Sequence, residues 1–424
     1  MKEVLIEQNP HWTQPPKTYA HREALAKLVS YLPLKHIITI TGIRRCGKST
    51  LAKMAINHLI EQGTAPTNIL FVNLEQPIFL EYRHQPQYLQ TVIDTYKTLC
   101  NPSGRIFVIF DEVQFFENWQ VFVKSKYEIE DIKFIITGSN SSMLSAEINT
   151  LLTGRTLTLH LTPFNFREYL HYKGIAHDTE IQRIQNRIQI EIAKEEYLNW
   201  GGFYEVMETN DPIIKKDLLN SYAKNIIYRD IVPRFKIRQT EIIERLFYYL
   251  LGQATQTLNY TELANLFEMS DKSIKEYISH FENVFLFKRI DNFHTKPKER
   301  LKSVKKLYVL DNGFLQVAPK NSPGLGQSLE NLVFCHLYQQ NPMLTYRKAQ
   351  YEVDFYSQQT LYQVAYQINQ PKTQQRELNA FAHFKQPNDR CVLITYTGIE
   401  IEQTPADIQE QSIDNLLLNI DESE

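Results

Sequence analysis

"HIITITGIRRCGKSTLAKMAINHLI", residues 36 to 60, decides how the front of this chain folds. "IITIT" is an unbroken apolar and β-branched run, the pattern of a strand covered on both faces. "STLAKMAINHLI" then changes period, placing Leu51, Met54, Ala55 and Leu59 on one helical face. Between the two, Gly42, Gly47, Lys48 and Ser49 satisfy G-x-x-x-x-G-K-[ST]. The glycines let N–H groups turn toward an anion, the helix N-terminus adds partial positive charge, and Lys48 brings a mobile cation for outer phosphates. The stretch predicts a loop that holds ATP through Gly42, Ile43, Arg44, Arg45, Cys46, Gly47, Lys48, Ser49 and Thr50, with Ser49 as a Mg2+ ligand. Arg44, Arg45 and Cys46 fill variable positions, read either as solvent-facing filler or as groups beside the phosphates.

Such a loop needs acids for the metal and for water. "RIFVIFDEVQ" supplies them as Asp111 and Glu112 at the carboxyl end of a second apolar strand, where a central strand of a parallel sheet brings its tip beside the loop. Asp111 is expected to hold Mg2+ and Glu112 to polarise the attacking water, which favours hydrolysis over transfer to a small molecule. A third strand, "KFIITGSN", ends in Ser139 and Asn140, placed to sense a γ-phosphate or to serve ordinary turn chemistry. Arg155, just past Gly154, is read as a guanidinium acting on its own nucleotide or a neighbour's, or as a surface arginine.

At 424 residues the chain exceeds one ordinary core, and a prior of about 150 residues per domain suggests two to four units. The opening "MKEVLIEQNPHWTQPP" turns polar too early for a secretion signal and no run reaches membrane-span length, so the cytoplasm is expected, with no membrane partner. Cys46, Cys100, Cys335 and Cys391 lie far apart without a CxxC pair, which argues for reduced thiols and against a zinc site. Net charge is −2, but Val284 to Leu310 holds eight Lys or Arg against two acids. That local excess marks duplex DNA as a candidate partner, with a protein partner as the alternative.

The order of "GIRRCGKSTL", "FDEVQFFENWQ", "IITGSNSSML", "LLTGRTLTLHLTPFNFREYL", "YLNWGGFYEV", "YRDIV" and "YEVDFY" resembles prokaryotic AAA-type P-loop ATPases whose C-terminal domain of unknown function has a restriction-endonuclease-like core. The resemblance implies an α/β protein with a P-loop NTPase parallel sheet domain over 1–170. Behind it would come a helical lid or connector over 171–245, a winged helix over 246–295 and a degenerate endonuclease-like α/β domain over 296–424. It also implies ATP hydrolysis, with the task of the machine unassigned. "GGFYEV" departs from the family, which usually has proline where Tyr204 stands.

In the connector, "IQRIQNRIQIEIAKEEYL" repeats isoleucine at helical spacing, and Arg229 with Asp230 is read as a chance neighbour pair, a buried ion pair or part of the ATP coupling. Residues 258–293 read helix, turn, helix, strand, with Thr261 and Ser270 as caps, Ile274, Tyr277, Ile278 and Phe281 inward, and Lys272, Ser273, Lys275 and Glu276 outward. In active members of the endonuclease-like core, a helix acid, a strand aspartate and a D/E-x-K pair bind divalent metal. The matching residues here are Glu330, Asp354, Gln363 and Ala365. Alanine in the lysine position and a neutral glutamine remove charge stabilisation, so the expectation is a scaffold without cleavage activity. Two other readings stand beside the switch: a DNA-associated protein whose affinity ATP regulates, and an ATP-controlled nuclease.

Overall fold

The computed structural model describes residues 1–140, 151–152, 154–319, 324–368, 371–398, 405 and 407–420. Two compact units are formed: Met1–Thr162 with Asn283–Phe285, and Pro163–Glu282 with Leu286–Glu424.

The first unit is built on five strands, β1 (Ile37–Thr41), β2 (Ile69–Asn73), β3 (Ile106–Asp111), β4 (Ile132–Gly138) and β5 (Thr156–His160), in the order β2-β3-β4-β1-β5. Every pairing is parallel. β1 and β4 are buried at every position, as their apolar runs require in a sheet with cover on both faces. The helix Lys48–Glu61 follows β1 and buries Leu51, Met54, Ala55 and Leu59, the face read from the sequence. Parallel strands share one carboxyl end, so the segments after β1, β3 and β4 all emerge on the same side.

The second unit holds the remaining modules. The isoleucine repeat forms two helices, Glu180–Gln185 and Arg187–Trp200, and only Ile190 of the repeat is buried among them. Ile181, Ile184, Ile188 and Ile192 are exposed, so the apolar period does not mark a packed face here. Arg229 is exposed within a π-helical turn, Ile226–Ile231, which removes the buried-ion-pair reading. Helices Thr240–Gly252, Tyr260–Leu266 and Asp271–Asn283 lead into an antiparallel hairpin, β6 (Phe287–Asp291) and β7 (Lys305–Val309). Ile274, Ile278 and Phe281 are buried and Tyr277 is half-buried, as the spacing predicts. Ser270 caps its helix by accepting from the Ser273 N–H at 3.1 Å. The preceding helix is capped by Asn259, which accepts from Glu262 N at 3.2 Å, two residues before the expected Thr261.

A mixed sheet closes the unit: β8 (Thr345–Lys348), β9 (Glu352–Ser357), β10 (Thr360–Ala365), β11 (Arg390–Thr395) and β12 (Ile408–Ser412), in sequence order. Outside that sheet, the segment after β7 forms a buried polar knot with the end of the helix Arg187–Trp200. Asp311 accepts from Gly202 N and Gly313 N, each at 2.9 Å, while Asn312 donates to Leu198 O and Ser328 O, each at 2.9 Å. A Cβ at Gly201 would stand 2.0 Å from the Asp311 carboxylate, which explains the first glycine of "NWGGF". All four cysteines are free, Cys46 and Cys391 buried and the other two half-buried. Among the described residues, no helix is long and apolar enough to cross a membrane.

Candidate nucleotide site

The loop after β1 closes tightly on its own unit. Gly42 has φ of 151°, and a Cβ there would lie 2.0 Å from the Leu161 carbonyl oxygen. Ile43 and Cys46 turn inward and are buried, and burial pushes the Cys46 thiol up. Arg44 pairs with Glu75 at 3.3 Å, whereas Arg45 is exposed in left-handed backbone at φ 70°. Thr50 is half-buried in the first turn of the helix. Arg22 braces the loop from outside the motif, donating to Cys46 O at 2.8 Å and Thr162 O at 2.7 Å.

Lys48 is only 3% exposed, and its ammonium donates to Gly42 O and Ile43 O, each at 3.2 Å. It also lies 3.7 Å from Glu112. Burial opposes its charge, but Glu112 and the neighbouring acids hold its pKa above the usual lysine range. The ammonium is therefore present and poised on the loop's own carbonyls, a set of partners that phosphate oxygens can replace.

Ser49 Oγ donates to the Asp111 carboxylate at 2.8 and 2.9 Å. Thr137 adds a second hydroxyl, donating to Asp111 at 2.6 Å and accepting from Glu112 N at 3.0 Å. The register Ile109↔Ile135 and Phe110↔Ile136 brings Thr137 level with Asp111. Burial, with Glu112 beside it, pushes the Asp111 carboxyl up to about 6 despite these hydroxyls. A serine hydroxyl and a fully buried carboxylate are hard oxygen donors short of positive charge, which suits Mg2+.

Glu112 sits in left-handed backbone at φ 54°, a conformation costing about 1 kcal/mol for a residue with a Cβ. That turn ends β3 and returns the side chain toward Lys48. Burial raises its pKa, yet Lys48, Arg44 and Gln114 outweigh it and hold the group below the usual carboxylate range. Gln114 donates its amide to Glu112 and, at 3.1 Å, to Ser139 Oγ. Its Oε1 is buried without a hydrogen-bond partner among the described residues. Asn140 is buried two residues beyond the end of β4.

Arg155 is not brought to this site. Ile37 N donates to Arg155 O at 2.8 Å, which puts it at the amino end of β1, a strand length of roughly 16 Å from the loop. Its guanidinium pairs with Glu128 at 3.0 Å. The reading of Arg155 as acting on the nucleotide of its own subunit is corrected on that ground. Gln114, Thr137 and Arg22 were not singled out from the sequence; only Gln114, two residues past Glu112 in "DEVQ", carried a local signal.

The endonuclease-like residues form a second cluster. Glu330 comes from the helix Leu325–Gln340, Asp354 from β9 and Gln363 from β10. Ala365 packs in an apolar cluster with Val353, Leu361 and Phe381. The expectation of a cluster lacking its cation is corrected: Lys306 of β7 reaches in, with Nζ at 2.8 Å from Glu330, 2.7 Å from Glu352 and 3.4 Å from Asp354.

A phosphate loop after the first strand of a parallel sheet, with its serine on the acid that ends β3, the strand next but one across β4, fits an AAA-type P-loop ATPase domain. In agreement, residues 34–170 match the family model described as an AAA domain, and residues 193–324 match a domain of unknown function, DUF8612. An uncharacterized protein of Haemophilus influenzae is 30% identical over 396 residues, covering 90% of this chain and 94% of that one. The uncharacterized protein MJ1544 of Methanocaldococcus jannaschii is 30% identical over 403 residues, covering 91% of this chain and 88% of that one. The chain belongs to the same family as these two relatives. Among solved structures, the Aeropyrum pernix ORC1 protein in complex with DNA overlaps with a TM-score of 0.32 at 11% identity, over 71% of this chain and 93% of that one. AMPPCP-bound DnaA from Aquifex aeolicus gives a TM-score of 0.30 at 13% identity, over 65% of this chain and 92% of that one. Overlap this loose carries no statement about function.

Proposed function

We propose that the protein is an ATP-hydrolysing switch. ATP is held by residues 42–50, Mg2+ by Ser49 and Asp111, and Glu112 acts as base, with nucleotide state controlling the modules behind the AAA domain. The observation that carries this reading is the contact of Ser49 with Asp111 at 2.8 Å, with Glu112 3.7 Å from Lys48. Bound Mg2+ supplies neutralisation of the outer phosphate charge. Lys48 exchanges two loop carbonyls for phosphate oxygens and, in doing so, loosens its hold on Glu112. Glu112, ionised because of its cationic surroundings, then accepts a proton from water. Gln114 keeps the base in line with Ser139 and offers Oε1 to the same water. Nucleotide binding with Mg2+ and phosphate release by the full chain test the reading, with Lys48→Ala expected to lose nucleotide binding. A folded wild-type protein that binds no ATP with Mg2+ refutes it.

The role of Gln114 gives a separable prediction. Gln114→Ala is expected to lower turnover about 10-fold, the scale of one hydrogen bond of about 1.4 kcal/mol, with KM nearly unchanged. Steady-state kinetics decide it, since a loss confined to KM contradicts a role in aligning the base.

A second reading, DNA binding regulated by ATP, is favoured by the helix pair and hairpin that present Lys272, Lys275, Lys296, Lys298 and Lys302 to solvent. Four of the other cations of the basic stretch are spent internally: Arg289 on Glu282, Arg300 and Lys305 on Asp291, and Lys306 on the carboxylate cluster. With at most these five lysines and the half-buried Lys288 on phosphates, log affinity for a duplex should fall with log salt at a slope no steeper than about −5.4. Titrations across a salt series, with and without ATP, measure it; absence of binding at low salt removes the idea.

A further inference from the structure

An endonuclease-like reading of the C-terminal module calls for a divalent cation among Glu330, Asp354 and the strand after it. The side chains present do not fit one. Among the described residues, no group of three or more His, Cys, Asp or Glu side chains is arranged to hold a metal ion. The carboxylates instead converge on an ammonium.

Lys306 is 3% exposed and touches Glu352 at 2.7 Å, Glu330 at 2.8 Å and Asp354 at 3.4 Å. The hairpin delivers it: β7 pairs antiparallel with β6, placing Lys306 opposite Ile290, and Thr257 bridges to the same residue on its other side. Val309 N donates to Asn331 Oδ1 at 2.9 Å, which ties β7 to the helix that carries Glu330. Further donors meet the same three carboxylates, both hydrogen bonds to Glu330 falling on its Oε1. Tyr308 O–H donates to Glu330 at 2.7 Å, Val364 N to Asp354 at 2.9 Å, and Lys348 pairs with Glu352 at 2.6 Å. Glu377, the next acid along, takes the Gln363 amide and the Arg376 guanidinium. Mg2+ requires oxygens at about 2.0–2.1 Å in near-octahedral array, whereas these oxygens are spaced for N–H and O–H donors.

We propose that Lys306 is a resident cation standing where a divalent metal would sit, so that the C-terminal module is pinned by an ammonium and takes up no metal at this cluster. The lysine absent from position 365 is thereby not restored as a catalytic group. It is replaced by a structural one that consumes the carboxylates and fastens the β6–β7 hairpin to the helix 325–340 and to β9. The inference is independent of ATP hydrolysis.

Mn2+ uptake by the nucleotide-free full-length protein, followed by electron paramagnetic resonance of the free ion, tests it. Wild type and Asp354→Asn are expected to take up the same amount of Mn2+. Lys306→Ser is expected to gain one Mn2+ per chain, and Lys306→Ser with Asp354→Asn to lose it again. Wild-type uptake that falls in Asp354→Asn overturns the proposal, as does a folded Lys306→Ser protein that gains no site. Circular dichroism establishes folding. If Lys306→Ser unfolds, the wild-type and Asp354→Asn pair still decides: equal uptake supports the resident ammonium and a loss refutes it.

Discussion

Glu112→Gln is expected to lower ATP turnover by about two to three orders of magnitude, the usual scale for a positioned general base, while leaving nucleotide bound. Glutamine keeps the size of the side chain and the left-handed turn at residue 112. It removes the carboxylate that Lys48 and Arg44 hold ionised. It also removes the charge that faces Lys48 at 3.7 Å in the nucleotide-free loop, so affinity for ATP should stay level or rise. Phosphate release and binding of a fluorescent ATP analogue, measured on the same preparation, separate the two effects. Turnover equal to wild type excludes Glu112 as the base.

The largest stability effect is expected at Asp311. Asp311→Ala leaves Gly202 N and Gly313 N buried with no acceptor, a loss of about 2–5 kcal/mol and on the order of 10 °C in melting temperature. Asp311→Asn keeps the shape and isolates the proton. Burial pushes the Asp311 carboxyl up to about 7, against 3.8 for an ordinary aspartate. The folded protein thus keeps a proton that the unfolded chain releases near pH 4. Stability from this group is complete below that pH and is lost as pH rises toward 7, by at most about 1.4 kcal/mol per pH unit. The difference in melting temperature between wild type and Asp311→Asn should therefore shift in favour of Asp311→Asn across that window. A difference constant from pH 4 to 8 contradicts the assignment.

The legible parts of the chain were those whose chemistry is local. Gly42 to Ser49 and Asp111–Glu112 are short runs in which residue type and spacing alone mark the candidate site. The buried faces of the helices 48–61 and 271–283 followed from period alone. Periodicity failed at Ile181, Ile184, Ile188 and Ile192, because a helical spacing of apolar residues says which side chains share a face and not that anything covers it. Proximity in sequence also misleads at Arg155: one residue past Gly154, it lies at the amino end of β1 because β5, which it precedes, runs parallel to β1.

What the amino-acid order determined unaided is the glycine-lysine loop after β1, the acid pair that ends β3, and the strands and helices that flank them, since hydrogen-bond geometry and side-chain period act over a few residues. Tertiary structure alone decided that Thr137 meets Asp111, that Gln114 spans Glu112 and Ser139, and that Lys306 enters a carboxylate cluster 24 to 48 residues away in sequence. Those meetings depend on strand order and register, which arise from the packing of whole sheets and leave no mark in any short stretch of the chain.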